Sequence, residues 1–280
     1  MKIARNRQLI GSVLTGLILI ALYCPVLTWL IDVWLNNPFY SHGFLVLPVA
    51  IFITWTRRKE LVKTKPGLTG IIVLVVGLAT YIAGFTLGIY WLWAFSLLVV
   101  ALGLVFYFWG TKAARSLAFP LGFLIFMIPL PFLDSISIPM QAISASGSTS
   151  IIQAIGITAT RTGAEIFLPG AAFTIGIPCS GMNTLISLLT LATLFLYFLE
   201  APLYKKVSLF IVVFPIAILA NIFRITLLLV VAHFWGTEAA MRYFHSVSSP
   251  LVFLFAISLL ILLTRLSGCR WRTLAEITNG

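Results

Sequence analysis

The sequence predicts an all-α polytopic membrane protein, and three observations lead to this fold class. Of its 280 residues, 61% are apolar and only 9% are charged, with a mean hydropathy of +1.10. A soluble domain carries about 25% charged residues, so a soluble fold is excluded. The apolar residues form long runs, and the basic residues cluster in the gaps between those runs. Runs of that length, separated in that way, are typical of helices that cross a bilayer.

About eight transmembrane helices are expected. A helix that rises about 1.5 Å per residue needs about 20 residues to cross about 30 Å of hydrocarbon. The runs that reach or approach this length are residues 9–30, 39–55, 68–87, 89–109, 116–133, 182–199, 207–234 and 247–263. The first run is long enough to span and is not followed by a small-residue cleavage site, so we expect a retained helix rather than a signal peptide. Without an internal repeat or a linker, residues 1–280 are expected to form a single membrane domain.

The basic residues predict the orientation of these helices. With a cytoplasmic N-terminus, fifteen of the 18 basic residues fall in cytoplasmic segments, and the C-terminus is cytoplasmic as well. These fifteen are Lys2, Arg5, Arg7, Arg57, Arg58, Lys59, Lys63, Lys65, Lys112, Arg115, Lys205, Lys206, Arg265, Arg270 and Arg272. The net charge of +11 is therefore explained by contact with anionic membrane lipids, and no nucleic-acid partner is expected.

Residues 134–180, between the fifth and sixth predicted helices, form an extracytoplasmic segment rich in Ser, Thr, Ala and Gly. Its first part has apolar residues at near-helical spacing and predicts an interfacial or re-entrant helix. Its second part alternates around "LPG" and predicts a short hairpin that leads to Cys179. A non-helical stretch at membrane depth must be buried in protein or line a wet cavity, so a site is expected here.

Cys179 lies three residues before the start of the sixth predicted helix. The unpaired amides and the dipole of a helix N-terminus favour an anion there, which raises the thiolate fraction of a cysteine. The alternative is that Cys179 is a small buried apolar residue, as we expect for Cys24 and Cys269. The three cysteines are too far apart for a zinc pattern or a disulfide framework, and no metal or other cofactor is expected.

Arg224 interrupts an apolar run, where an arginine costs at least about 2.5 kcal/mol and must face protein. Asn221, one turn earlier, shares its helix face. We favour a functional role, because intramembrane ionisable residues usually mark functional sites. The alternative is a structural arginine that pairs with Asp134, Glu165 or backbone carbonyls.

His245 precedes the last predicted helix on the same predicted side of the membrane as Cys179 and Arg224. Its imidazole can exchange a proton near neutral pH. His42 and His233 lie near the same predicted depth, and His42 is a further candidate for the site. Each histidine taken alone is equally explained as an interfacial side chain, so it is the convergence of thiol, guanidinium and imidazole that predicts a site.

The motifs "PCSGMNT", "NIFR" and "FHSVSS", in this order, resemble those of the exosortase and archaeosortase family of membrane-embedded cysteine transpeptidases. The stretch "YSHGFLVLPVAIFITWTRR" also resembles the exosortase pattern. A Gly soon after the histidine is expected of many members, whereas this chain has serines there. The resemblance places the catalytic Cys, Arg and His at Cys179, Arg224 and His245.

The resemblance implies a substrate and a location. The substrate is a C-terminal sorting tail on an exported protein, made of a short motif such as Pro-Glu-Pro, a transmembrane helix and a basic cluster. The enzyme is expected in a bacterial inner membrane, with its active site facing the extracytoplasmic side. It cleaves the tail and transfers the protein to an acceptor, for which a lipid or glycan amine or hydroxyl, or water, remain open.

The chemistry follows from acyl transfer through a thioester. Cys179 is assigned as nucleophile, His245 as general acid and base, and Arg224 as the cation for the oxyanion or a substrate carboxylate. Asn221 is expected to orient Arg224, and the amides of Ser180 and Gly181 to donate to the oxyanion.

Three alternatives stay open at this point. A hydrolytic membrane protease needs the same residues without the transfer step. A serine route is weaker, because Pro178-Cys179-Ser180-Gly181 lacks the first glycine of Gly-x-Ser-Gly. A transporter would use Arg224, His42 and His233 to line a pathway, with Glu238 or Glu165 in a proton relay.

Overall fold

A computed structural model of the chain describes residues 2–62, 67–176 and 180–272. Within these ranges, the side chains of residues 2–15, 134, 243–246 and 249 are not described. The chain is mainly helical and includes four helical segments that are long and apolar enough to cross a membrane, which confirms the all-α membrane fold class. These segments are Gly16–Asn36, Leu68–Thr86, Tyr90–Ser116 and Leu203–Arg242. The total of eight spans and their orientation remain predictions.

The fold divides into two compact units, Met1–Pro129 and Leu130–Gly280. The first unit contains helices α1 to α5, and α5 runs on into a 3-10 turn over Leu124–Met127. Their bounds are α1 Lys2–Asn36, α2 Gly43–Thr56, α3 Leu68–Thr86, α4 Tyr90–Ser116 and α5 Ala118–Phe123. Helices α3 and α4 form its most extensive contact. The assignment of residues 1–280 to a single membrane domain remains a prediction.

Helices α3 and α4 pack through glycines spaced seven residues apart, at Gly70, Gly77 and Gly84. A Cβ on Gly70 would lie 2.6 Å from the Cα of Tyr107, and a Cβ on Gly84 would lie 2.6 Å from the Cα of Trp93. Such contacts are closer than real Cβ atoms make, so only glycine permits this approach of the two backbones. Small residues serve this purpose in membrane helix pairs, where lipid removes the hydrophobic drive between helices.

The structure departs from the sequence prediction over residues 116–133. This segment is not one helix: α5 and its 3-10 turn cover Ala118–Met127, which at about 1.5 Å per residue is half the thickness of the hydrocarbon. Pro129 and Pro131 follow this turn, and two prolines so close together remove two of the amide donors that a continuing helix would need. A continuous fifth span over these residues was therefore the wrong expectation.

The second unit contains α6 to α9 and a small antiparallel sheet. Its helices are α6 Leu133–Ala154, α7 Met182–Phe198, α8 Leu203–Glu238 and α9 His245–Leu266. A π-helical stretch, Ala239–Phe244, joins α8 to α9. The sheet has the order β1-β2-β3, with β1 Thr160–Thr162, β2 Glu165–Leu168 and β3 Ala171–Thr174. The predicted helix and hairpin of the 134–180 segment are thus present, and β1 extends the hairpin into a three-stranded sheet.

Helix α6 buries polar residues and exposes apolar ones. Ser137, Ser144 and Ser148 are at most 1% exposed, whereas Ile138 and Ile143 are 69% and 48% exposed. Its polar face packs on α8, the largest helix-to-helix contact of this unit. This arrangement is the reverse of a soluble helix and is typical of a helix whose outer side meets lipid. Its position relative to the membrane remains a prediction.

Basic residues gather at one end of the second unit. A two-stranded pair joins β4 Leu199–Glu200 to β5 Arg270–Trp271, and Lys205 Nζ donates to the Ser267 carbonyl at 2.7 Å. The connection from α7 to α8 and the stretch after α9 therefore lie side by side. Both segments carry basic residues that the sequence assigns to the cytoplasmic side, so this arrangement fits the predicted orientation.

Candidate active site

Arg224 lies on the buried face of α8, where it is 7% exposed. Buried positions recur along this helix at spacings of three and four residues, and the same face carries Asn221, which is 1% exposed. The predicted sharing of one face by Asn221 and Arg224 is therefore present in the structure. A guanidinium so far inside an apolar unit concentrates a positive charge where few water molecules can screen it.

A cavity of about 310 Å³ opens beside Arg224. Its walls come from β3, from the middle of α8 and from the segment that follows α8. The lining residues are Ala172, Phe173, Thr174, Ile175, Arg224, Ile225, Leu228, Thr237 and Met241. The cavity is mainly apolar and contains one cationic side chain, which suits it to a group that combines apolar surface with negative or partial negative charge.

Beneath this cavity, the hairpin packs on α8. Ile166 and Phe173 are 0% and 6% exposed and join a buried cluster with Ile225 and Leu229 of α8. The alternation of the strands explains this, because every second side chain of β2 and β3 faces the helix. The hairpin that the "LPG" pattern predicts thus forms a wall over the part of α8 that carries Arg224.

Asn221 is fixed by a neighbouring helix. Its Nδ2 donates to Ser144 Oγ of α6 at 2.9 Å, and both side chains are buried. One turn further along α6, a Cβ on Gly147 would lie 2.7 Å from Cδ1 of Ile222, so the two helices approach closely here. Ser144 was not among the predicted site residues. The signal was present as serines at positions 137, 144 and 148, on one face of a helix.

Asn221 also contacts the turn that precedes α7. Gly181 has φ +85°, and a Cβ there would lie 2.7 Å from Asn221 Cγ. Both conditions require glycine, since an L side chain disfavours this backbone and would collide with the amide. Ser180 is fully buried, and its Oγ accepts a hydrogen bond from the Met182 amide at 3.2 Å. The turn formed by Ser180 and Gly181 thus lies against Asn221, one helical turn from Arg224.

Two residues of the predicted triad are not tested by the structure. Cys179 belongs to residues 177–179, which lie outside the described ranges. His245 is placed as the first residue of α9, but its side chain is not described. The catalytic roles of Cys179, His245 and Arg224 all remain predictions.

The other two histidines differ from each other. His42 lies in the first unit, in the turn before α2, and its Nε2 donates to the Phe126 carbonyl at 3.0 Å. His233 lies on an exposed position of α8, with its ring 4.9 Å from that of Phe234. It is nine residues from Arg224, which at about 100° per residue puts the two on opposite sides of the helix. A transport pathway lined by both Arg224 and His233 is therefore disfavoured.

In the described part of the chain, no three His, Cys, Asp or Glu side chains cluster as metal ligands would. The candidate site therefore consists of a buried arginine, a cavity beside it, and a glycine turn held against an amide. Such a set can bind and polarise a carbonyl or a carboxylate.

A comparison with protein families matches residues 34–262 to the transmembrane exosortase family. This range covers more than half of the chain and includes the three motifs described above. The chain belongs to the transmembrane exosortase family. It is accordingly a multi-pass membrane protein, in agreement with its apolar helices. No curated protein and no solved structure matches this exosortase.

Proposed function

We propose that this exosortase is a cysteine transpeptidase that cleaves the C-terminal sorting tail of exported proteins. The observation that carries the proposal is the buried Arg224 beside a cavity, in a chain of the exosortase family. Burying a cation in an apolar unit costs free energy, so a buried arginine usually marks a functional site. In acyl transfer, such a cation can stabilise the oxyanion. Cys179 is the nucleophile, His245 the general acid and base, and Arg224 the oxyanion partner.

The position of the turn before α7 supports this assignment. Ser180 and Gly181 follow Cys179 directly in the sequence and lie against Asn221, one turn from Arg224 on α8. Ile175 lies on the N-terminal side of residues 177–179, and it lines the same cavity as Arg224. The start of α7 adds the positive end of a helix dipole, which favours a thiolate and then an oxyanion.

The reaction consists of two balanced acyl transfers. The Cys179 sulfur, having given its proton to His245, attacks the scissile carbonyl, and the oxyanion is stabilised by Arg224 with the amides of Ser180 and Gly181. The C–N bond then breaks, and the leaving amine takes the proton from His245. An acceptor amine, hydroxyl or water attacks the thioester, gives its proton to His245, and releases the thiolate.

The substrate and the location belong to the same proposal. The substrate is an exported protein that ends in a short motif such as Pro-Glu-Pro, one apolar helix and a basic cluster. That helix holds the tail in the inner membrane, and the positive cluster keeps its end cytoplasmic, so the scissile bond is on the extracytoplasmic side. The predicted orientation places the start of α7 on that side.

Replacing the nucleophile tests the proposal. In cells that carry a tagged sorting-tail protein, Cys179→Ala is expected to abolish cleavage while membrane levels of the enzyme persist. Cys24→Ala is the matched control, since Cys24 is exposed on α1, and it is expected to leave cleavage unchanged. Cleavage that persists in Cys179→Ala would overturn the cysteine mechanism and favour a serine route.

Mass spectrometry of the product distinguishes transfer from hydrolysis. An added group on the new C-terminus is expected for a transpeptidase. A free carboxylate on every product molecule would identify a hydrolytic protease that uses the same residues.

A further inference from the structure

Strand β3 is an edge strand that faces a cavity. In the order β1-β2-β3 it has a neighbour on one side only, and no fourth strand pairs with it in residues 2–62, 67–176 and 180–272. An edge strand presents unpaired amides and carbonyls, and native proteins usually cover or distort such an edge. Here the edge lies beside the cavity that contains Arg224.

The hydrogen-bond pattern shows which groups of β3 point outward. The Ile175 amide donates to the Ala164 carbonyl at 2.9 Å, so this pair is hydrogen-bonded to β2. In an antiparallel ladder, bonded and non-bonded pairs alternate, so Phe173 and Ala171 also bond to β2. Ala172 and Thr174 therefore direct their backbone groups away from the sheet. The Thr174 carbonyl accepts from the Gly176 amide at 3.0 Å, which leaves both groups of Ala172 and the Thr174 amide on the edge.

These outward groups have the spacing that an added strand requires. An antiparallel strand would exchange two hydrogen bonds with Ala172. A parallel strand would donate to the Ala172 carbonyl and accept from the Thr174 amide, on either side of Phe173. Both residues line the cavity, so such a strand would occupy it. A volume of about 310 Å³ is enough for a few residues of an extended chain, not for a helix, whose diameter is about 10–12 Å.

Charge and polarity agree with a peptide occupant. The cavity walls are apolar apart from Thr174, Thr237 and Arg224. An extended peptide brings side chains for the apolar walls and carbonyl oxygens for the guanidinium. A lipid chain would satisfy the apolar walls but would leave the backbone groups of Ala172 without partners, which is costly away from water.

We propose that the substrate polypeptide binds as a fourth strand on the outer edge of β3, extended through the cavity and directed toward Arg224. This inference rests on the proposed function and adds the conformation and the contact surface of the substrate. Main-chain pairing supplies affinity without regard to side chains, while the cavity selects which side chains fit. The hairpin is then a substrate-binding element rather than a mere connection between α6 and α7.

Disulfide trapping tests this proposal directly. The parent enzyme carries Cys179→Ala, Cys24→Ser and Cys269→Ser, and a single cysteine is introduced by Thr174→Cys. The probe is a tagged protein that ends in Pro-Glu-Pro, an apolar helix and an arginine cluster, with one cysteine moved along the residues before the helix. Trapping is expected at alternate probe positions, because strand side chains alternate between two faces.

Thr162→Cys is the matched control. Thr162 and Thr174 both pair with Glu165, from opposite sides, and both are exposed. Thr174 lies on the edge beside the cavity, and Thr162 lies on the opposite edge of the sheet. Trapping from Thr174→Cys is expected to exceed that from Thr162→Cys by about tenfold or more. Equal trapping at both, or trapping without a period of two, would overturn the added strand.

A proline variant adds a readout of activity. The double variant Ala172→Pro/Thr174→Pro removes both outward amides, which an edge strand tolerates because β2 does not use them. It is expected to raise KM for the probe about threefold to tenfold. Arg161→Pro, an outward position on β1 at the opposite edge, is expected to leave KM unchanged. An unchanged KM in the double variant would contradict the proposal.

The two proposals fail in different ways. If the Cys179→Ala enzyme still cleaves the probe, the proposed chemistry is wrong whatever the trapping shows. If Cys179→Ala is inactive and Thr174→Cys traps no more than Thr162→Cys, the chemistry stands and the strand is excluded.

Discussion

Two helix pairs of this protein achieve close approach by different means. Helices α3 and α4 meet through Gly70, Gly77 and Gly84, with apolar and aromatic residues opposite. Helices α6 and α8 meet through Gly147 and through Ser144, whose hydroxyl accepts a hydrogen bond from Asn221. Both pairs use small residues, as membrane helices do, but the second pair also buries the Asn221 amide, which donates to Ser144 across the contact.

Under the proposed function, the α3–α4 contact has a structural role only, and the α6–α8 contact also supports activity. Glycine alone lets two backbones approach at no electrostatic cost, so the α3–α4 contact needs nothing more for stability. The polar residues of the α6–α8 contact cost free energy unless they are hydrogen-bonded, and Arg224, which lines the cavity, lies one turn from Asn221 on α8. We therefore expect changes in the first pair to affect stability, and changes in the second to affect activity.

The largest effect is expected from Arg224→Ala. Loss of a preorganised oxyanion partner costs about 2.7–4 kcal/mol, so kcat is expected to fall about 100- to 1,000-fold. Arg242→Ala is the control, because its side chain is 67% exposed and makes a surface ion pair with Glu238 at 3.3 Å. The measurement is the cleavage rate in detergent, with thermal unfolding as a check on folding. Equal cleavage rates for Arg224→Ala and Arg242→Ala would show that Arg224 has no catalytic role.

Gly181→Ala is expected to have the next largest effect. The new Cβ would meet Asn221 and strain a backbone at φ +85°. A shift of about 1 Å in the turn that follows the nucleophile is expected to lower kcat/KM about 100-fold. Gly170→Ala isolates the collision, since Gly170 has φ +82° but no atom within 4 Å of its Cβ position. If the two variants lose activity equally, contact with Asn221 has no role.

Gly84→Ala is expected to lower stability while activity of the folded fraction persists. Its Cβ would lie 2.6 Å from the Cα of Trp93, and overpacking of this kind costs about 1–3 kcal/mol. Gly16→Ala, also in a helix but with nothing within 4 Å, is expected to leave stability unchanged or slightly higher. Thermal unfolding in detergent measures both. A fall in kcat at constant stability would contradict the structural role of this helix pair.

Ser144→Ala is expected to have the smallest effect on stability. It removes one hydrogen bond to Asn221, and such bonds between membrane helices contribute about 0.6 kcal/mol on average. Activity is expected to fall more than this value implies, because Asn221 loses its orientation beside Gly181 and Arg224. Ser150→Ala is the control, since Ser150 is exposed on the same helix and bonds only to the Ser146 carbonyl. Parallel losses of activity and stability would mark Ser144 as purely structural.

Much of the fold could be predicted because hydrophobic length is a local property. The predicted runs 68–87 and 182–199 match α3 and α7 to within one residue. The predicted ends at residues 109 and 234 lie one and two residues before Gly110 and Gly236, where the helical backbone breaks. The prediction failed over 116–133, where Pro129 and Pro131 follow a short helix that hydropathy alone would have continued.

The candidate site was predictable in part. Arg224 and Asn221 stood out because polar residues in an apolar run are rare and share a helix face at a spacing of three residues. Ser144 did not stand out, because serine is common in a polar segment. The edge of β3 could not be predicted, because a strand is an edge strand only when no other strand pairs with one of its sides. Cys179 and His245 remain predictions from motif and resemblance.

By itself, the sequence determined that the chain is a helical membrane protein and that an arginine is buried in it, since both follow from hydropathy counted along the chain. Only the tertiary structure decided that Ser144 holds Asn221, that Asn221 excludes any side chain at Gly181, and that β3 lies beside Arg224. The physical reason is that the cost of burying a residue can be predicted from that residue and its neighbours in the sequence. Hydrogen-bond partners and cavity walls come from segments that are far apart in the chain.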